Sequence, residues 1–279
     1  MQLICTAMSE HAAALLDTPG QFELCSRFAH VVNFFRKNTV ISFQTPDIPR
    51  TPLSVVLDEN SFQWLHYHSE QAPRIETGGG MLVWNGTKLD YEGASLYSSR
   101  LSAAKSGLDT AVYHSLFHFA AILAKPDSFV FLPQVLPKYS LQSCTEAQQY
   151  ASQLLDTSGA HELIGLGGGL TPAGDDFLVG VLAVLRWQGC GDTEAQLISE
   201  IACRLNRTTL ISSAFLERAM AGEFSQPVLT LFDAMEHGTD TALAPAVSRL
   251  CAVGHTSGSD LLGGVLWMLK QITKQEGRM

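Results

Sequence analysis

Apolar residues along this chain change their spacing near residue 100. Before that point they fall in short, strand-like runs broken by turns. His30-Val-Val-Asn-Phe-Phe35 and Thr39-Val-Ile-Ser-Phe43 flank a polar Arg36-Lys-Asn38 turn, and Leu53-Ser-Val-Val-Leu57 follows the breaker Pro49-Arg-Thr-Pro52. Met81-Leu-Val-Trp84 and Thr87-Lys-Leu-Asp-Tyr91 bracket Asn85-Gly86, a hairpin signal because both residues tolerate positive φ. A short helical opening precedes these runs, and His66 and His68, alternating around Tyr67, read as surface or packing residues of a further strand. From about Ala103 the period becomes helical, predicting helices near 104–124, 145–156, 175–188, 193–221, 226–236, 240–252 and 260–275. Strands first and helices afterwards predict an α+β protein: a mostly antiparallel β-rich domain over 1–102, packed on a larger helical domain over 103–279. Pro126 to Pro137 reads as an irregular connector with one short apolar run.

The helical half opens its third element with Gly165-Leu-Gly-Gly-Gly-Leu-Thr-Pro-Ala-Gly-Asp-Asp-Phe-Leu-Val-Gly180. Glycines let the main chain approach a ligand, and a helix N-terminus just beyond them presents unpaired N–H groups that favour anions. Asp175 and Asp176 would repel a bare phosphate, so the pairing suggests phosphate together with a divalent cation. A second copy follows in Gly254-His-Thr-Ser-Gly-Ser-Asp-Leu-Leu-Gly-Gly-Val-Leu-Trp-Met-Leu-Lys270. A shift of 84 positions superimposes Gly174 on Gly258, Asp176 on Asp260, Gly180 on Gly264 and Val181 on Val265. Thr171 meets Thr256 after a one-residue gap. The two units read as pseudo-symmetric halves of one bundle with both loops facing a shared pocket. The plainer reading makes Asp176 and Asp260 the caps of two similar helices.

Other candidates are weaker or ambiguous. Gly169 to Gly174 has P-loop spacing, but Asp175-Asp176 replaces the Lys-Ser/Thr pair, and no dinucleotide fingerprint is completed. His114 and His118 stand at helical i, i+4 spacing without a local third ligand and read as structural. His255 lies inside the second loop, where an imidazole donates to an oxyanion or moves a proton near neutral pH. Asn206-Arg-Thr-Thr-Leu-Ile-Ser-Ser-Ala-Phe-Leu216 concentrates Thr208, Thr209, Ser212 and Ser213 in a predicted helix. Those hydroxyls either bridge packed helices or, with Arg207 as a planar carboxylate or phosphate clamp, line the pocket.

Composition narrows the classes. With 279 residues, 46% hydrophobic and 16% charged, the chain has ample material for a core. Its net charge of −9 comes without a basic stripe, which argues against nucleic acid as a partner. No run approaches the ~20 apolar residues of a membrane span, and no signal peptide is legible. The six cysteines, Cys5, Cys25, Cys144, Cys190, Cys203 and Cys251, form no CxxC pair and read as reduced thiols of a cytoplasmic protein.

Taken together, Gly167 to Gly180, Thr208 to Ser212 and Gly254 to Gly263 resemble, in order, the motifs of the AllH-like family. Its named member is a subunit of the oxamate carbamoyltransferase of allantoin degradation. The resemblance implies a cytoplasmic protein working with an FdrA-like subunit related to acyl-CoA synthetases and with a second large subunit. It further implies phosphorolysis of oxalurate, or a related small anionic ureido acid, to oxamate and carbamoyl phosphate. The residues fit this reading with Asp175, Asp176, His255 and Asp260 as the catalytic set. Gly167, Gly169, Thr171, Arg207, Thr208, Thr209, Thr256, Ser257 and Gly258 would bind substrate. Asp175, Asp176 and Asp260 together would offer hard oxygen ligands suited to Mg²⁺ or Mn²⁺, although a ligand's ureido N–H groups would satisfy the same carboxylates. The alternatives are a non-catalytic assembly or effector-binding subunit of the same complex, or a stand-alone metal-dependent phosphate-ester hydrolase.

Overall fold

The computed structural model describes residues 2–78, 81–84, 86–91, 93–104, 107–139 and 145–275. Asn85 of the expected hairpin turn and Cys144 lie outside them. The chain divides into two compact units, Met1–Ser99 and Arg100–Met279. No helix among the described residues is long and apolar enough to cross a membrane.

The first unit is a barrel. Its strands are β1 (Gln2–Ser9), β2 (Gly20–Arg27), β3 (Val31–Arg36), β4 (Thr39–Gln44), β5 (Ser54–Leu57), β6 (Arg74–Gly78), β7 (Met81–Trp84), β8 (Thr87–Asp90) and β9 (Ser95–Tyr97). They run in the order β5-β4-β3-β2-β6-β7-β8-β1, and β1 pairs back onto β5, closing a ring of eight with β9 beside the far end of β1. Most pairings are antiparallel; β1–β8, β1–β9 and β4–β5 are parallel. Closure removes the sheet edges that an open sheet would have to protect. Phe22, Phe34, Phe43 and Trp84 fill this core, together with Phe62 and Leu65 of α2 (Glu59–His68).

Two expectations need correction here. The chain opens with strand β1, and the helix α1 (Glu10–Asp17) follows it, capped by Ser9, whose side chain accepts from Ala12 N–H. His66 and His68 lie on α2 and not on a strand; the Asp58 side chain accepts from Ser61 N–H and starts that helix. Short alternation was misleading, because Phe62 and Leu65 at helical spacing are the buried residues.

The second unit is helical: α3 (Thr110–Leu123), α4 (Glu146–Thr157), α5 (Ala173–Gln188), α6 (Gly191–Ala202), α7 (Leu210–Met220), α8 (Gln226–His237), α9 (Asp240–Cys251) and α10 (Ser257–Gln275). The helix expected over 193–221 is broken by a 3-10 turn at Leu205–Arg207 and by extended Thr208 and Thr209. Thr208 and Thr209 therefore precede α7, and Thr209 caps it by accepting from Ser212 N–H at 3.1 Å.

The centre of this unit is the α5–α10 crossing. A Cβ added to Gly180 would lie 2.1 Å from the Leu261 carbonyl oxygen, and one added to Gly264 would lie 1.9 Å from that of Phe177. The contact is reciprocal under the 84-residue shift, as a two-fold relation requires. Missing side chains at both positions let the backbones touch, and both helix N-termini fall within about two turns of the crossing.

Candidate functional site

The first loop descends from a 3-10 turn at Ala160–Leu163 and enters α5 at Pro172. Gly165, Gly167 and Gly169 take positive φ values of 76°, 117° and 87°. A Cβ on Gly165 would sit 2.3 Å from the Arg207 carbonyl oxygen, so this position requires glycine twice over. Residues Gly167 to Leu170 are exposed. Asp175, buried, anchors the loop from below. Its Oδ1 accepts from Gly165 N–H at 2.7 Å, and its Oδ2 accepts from Ser212 Oγ at 2.7 Å and from Thr208 Oγ1. The Thr209 hydroxyl donates to the Leu170 carbonyl. The hydroxyl-rich segment thus fastens the start of α7 to the glycine loop.

The second loop, Gly254 to Thr256, turns at positive φ on Gly254 and leaves His255 exposed. Ser257 Oγ lies 2.9 Å from Thr171 Oγ1, so the two loops meet through their hydroxyls. Below them, Ser259 Oγ accepts from Lys125 N–H at 3.0 Å and Asp260 Oδ1 accepts from Phe129 N–H at 2.8 Å. The Pro126–Pro137 connector, including a 3-10 turn at Phe129–Phe131, therefore crosses the start of α10 and forms one wall of the site. A Cβ on Gly263 would meet the Phe129 and Val130 backbone at 2.9 Å.

Asp176 and Asp260 form the electrostatic centre. Asp260 is 1% exposed, Asp176 is half-buried, and Oδ2 of each is shut off from solvent without a hydrogen-bond partner. Burial raises the Asp176 carboxyl well above the usual carboxylate range, and the nearby charges of Asp260 and, more weakly, Asp175 add to that; the Ser257 and Thr171 hydroxyls oppose it. Burial also raises Asp260, to about 7, against hydrogen bonds from Phe129 N–H and the Thr256 hydroxyl. A helix N-terminus favours the charged form by only ~0.3–1 kcal/mol at an exposed site, so burial prevails. The two carboxyls are thus displaced in the same direction, toward the protonated form, with Asp260 brought to about 7.

The structure brings together Thr171, Asp176, Thr256, Ser257 and Asp260, with Asp175 one layer below, tied to the loop and α7. It does not assemble the three-aspartate metal set. Both Asp175 oxygens are spent on protein donors, and no group of three His, Cys, Asp or Glu side chains among the described residues is placed to hold a metal. Thr208 and Thr209 use their hydroxyls on Asp175 and Leu170. Gly258 is a packing glycine whose added Cβ would lie 1.7 Å from the Leu250 carbonyl oxygen.

Arg207 points to Glu162, with Nη1 3.0 Å from Oε2, and together with Arg204 it holds the Glu162 carboxyl below its ordinary range. His114 and His118 are exposed on α3. The sequence reading missed the Lys125 and Phe129 N–H donors, Ser259 and Glu162. Only Ser259 had a usable signal, since the 84-residue shift places it on Asp175.

No solved structure matches the chain. The segment that holds both loops, residues 163–269, matches the model of a protein family described as oxamate carbamoyltransferase subunit AllH.

Proposed function

We propose that this chain is a cytoplasmic subunit of a multi-component carbamoyltransferase of the oxamate type, and that the crossing of its two glycine loops binds the ureido acid. The observation that carries the reading is the pair of buried, unpartnered oxygens, Asp176 Oδ2 and Asp260 Oδ2, beneath two hydroxyl-lined loops. A buried acceptor without a donor costs roughly 1–3 kcal/mol, which a ligand's N–H groups would recover. A ureido group carries N–H donors of this kind, and the carboxylate end of the same molecule suits the exposed loop amides.

Phosphorolysis of an N-acyl urea also needs a proton moved from one side of the reacting carbon to the other. A phosphate oxygen bonds to the carbamoyl carbon, and the bond from that carbon to the acylated nitrogen breaks. The departing amide nitrogen takes a proton from the protonated Asp176, and the incoming phosphate gives its proton to Asp260. Atoms and charge balance, with oxamate and carbamoyl phosphate as products when oxalurate is the substrate. The partners in this reading are an FdrA-like subunit and a second large subunit.

A second reading, a non-catalytic assembly or effector-binding subunit, is favoured by the near-complete burial of Asp260. The two separate in the reconstituted complex, with carbamoyl phosphate formation as the readout. In the catalytic reading Asp176→Asn and Thr256→Val each leave the complex assembled and reduce the rate by ~10²–10³, as removal of an essential polar group does. Full activity in both, with the complex intact, moves the reacting atoms to another subunit.

A further inference from the structure

Away from the loops, α5, α6, α10 and the 3-10 turn at Ala160–Leu163 border a cavity of about 390 Å³. Small-molecule pockets span roughly 300–1,000 Å³ and combine an apolar lining with a few fixed polar groups. This cavity has both. Val181, Leu185 and Met268 are buried beneath it, and Trp267 adds an indole face.

Its polar side is held in place. His161 Nδ1 lies 2.9 Å from Glu200 Oε2 and His161 Nε2 lies 3.5 Å from Glu162 Oε1, while Arg204 and Arg207 grip Glu162 from outside. Gln196 Nε2 donates to Glu200 Oε1 at 3.1 Å. A wall braced on both flanks keeps its geometry when no ligand is present, which is what a built site requires.

The charge pattern selects the ligand. Both arginines of the network face Glu162 and neither lines the cavity. The Glu200 carboxylate does line it, with one bond on each oxygen of an acceptor that offers about four lone-pair sites. An anionic head would meet that carboxylate; a cationic N–H donor would complete it. The indole face and the Met268 thioether suit a flat apolar body, and an indole also attracts cations.

We propose that this cavity is a second ligand site, which takes a small molecule with a flat apolar body and a cationic N–H donor head, the head on Glu200 and the body against Trp267 and Met268. It stands apart from the carbamoyl chemistry and is tested without it.

The test is calorimetric titration of the full chain with benzamidine, with benzoate as the probe of equal shape and opposite charge. Saturable benzamidine binding is expected, with benzoate at least tenfold weaker. Glu200→Gln should weaken benzamidine by about tenfold. Thr193→Arg, at an exposed rim position, should do the same by placing a cation beside the head, and it serves if the Glu200 variant fails to fold. Absence of saturable benzamidine binding, equal affinity for benzoate, or unchanged affinity in the folded variants would overturn the assignment.

Discussion

Where the first loop–helix unit carries Asp175, its copy carries Ser259. The two residues hold the same place one step before the carboxyl pair's acid, and both accept a main-chain N–H, from Gly165 of the preceding loop in one case and from the distant Lys125 in the other. Asp175 collects two further hydroxyls, from Thr208 and Ser212, and so ties a glycine-rich loop and a third helix to α5. Ser259 needs no such reach, because the connector from α3 already lies against α10. The two units share the backbone contact and differ in their polar chemistry. The unit with the longer, exposed glycine loop has the anchor with more hydrogen bonds.

The shared contact gives the largest expected effect. Gly180→Ala and Gly264→Ala each force a Cβ to within 2.1 Å or less of a facing carbonyl oxygen, so the helices must separate. Overpacking against side chains costs ~1–3 kcal/mol, and backbone yields less, so we expect about 3 kcal/mol or more at either position. Urea unfolding of the two variants measures it. If the two-fold relation holds energetically as well as geometrically, the losses agree to within about 1 kcal/mol. A large loss at one glycine and none at the other breaks the equivalence.

The difference between the copies predicts the next effect. Asp175→Asn removes the charge that three donors share, and hydrogen bonds to a charged group contribute ~1.5–3 kcal/mol each. Part of this survives through the Asn carbonyl, so a loss of about 2–3 kcal/mol is expected. Ser259→Ala removes the acceptor of one part-buried N–H and should cost about 1 kcal/mol. Asp175→Asn should also raise hydrogen exchange at Gly165, while Ser259→Ala leaves that amide unchanged. Equal losses in the two variants would mean that the anchors had not diverged.

These contacts also mark what could be read from the sequence. The repeat, the helices it starts and the fit of Gly180 to Gly264 were legible because close helix packing demands small residues at fixed spacing. Barrel closure was not, since β1 to β5 pairing joins segments about 50 residues apart and leaves no local signature. The carboxyl pair was visible as Asp176 and Asp260, but the displacement of Asp175 from it was not. That displacement depends on Thr208 and Ser212, whose place relative to α5 is set by the break before α7. Likewise the Phe129 N–H is a main-chain group in a connector, and no side chain announces it.

Titration sharpens the comparison of Asp176 with Asp260. An unfolded aspartate titrates near pH ~3.9, and folding raises Asp260 to about 7. Between those values the unfolded chain has lost a proton that the native chain keeps. Native stability from this group is therefore fully present below about pH 4 and falls as pH rises to about 7. Asp176, also raised by burial, adds a fall of the same sign. Relative to the wild type, Asp260→Asn should gain melting temperature between about pH 4 and 7 and then level off, and Asp176→Asn should likewise gain as pH rises above the ordinary carboxylate range. At this chain length each kcal/mol moves the midpoint by roughly 2–4 °C. Parallel profiles for wild type and both variants would show that neither acid is held protonated.

The smallest effect concerns the brace that only the first loop has. Arg207 meets Glu162 at the surface, with its side chain 46% exposed, and its carbonyl is the atom that fixes Gly165 as glycine. Arg207→Gln keeps that carbonyl and removes the ion pair, which at an exposed site contributes ~0–1 kcal/mol and is screened by salt. A stability loss of about 0.5 kcal/mol that fades at high salt is the expected result, with carbamoyl phosphate formation nearly unchanged. Arg204 still holds Glu162, so the loop keeps half of its brace. A guanidinium that clamped substrate would behave differently, because loss of a bidentate anion contact raises KM without lowering stability. A tenfold or larger rise in KM at unchanged midpoint would therefore return Arg207 to the site, and would require the guanidinium to leave Glu162 when substrate binds.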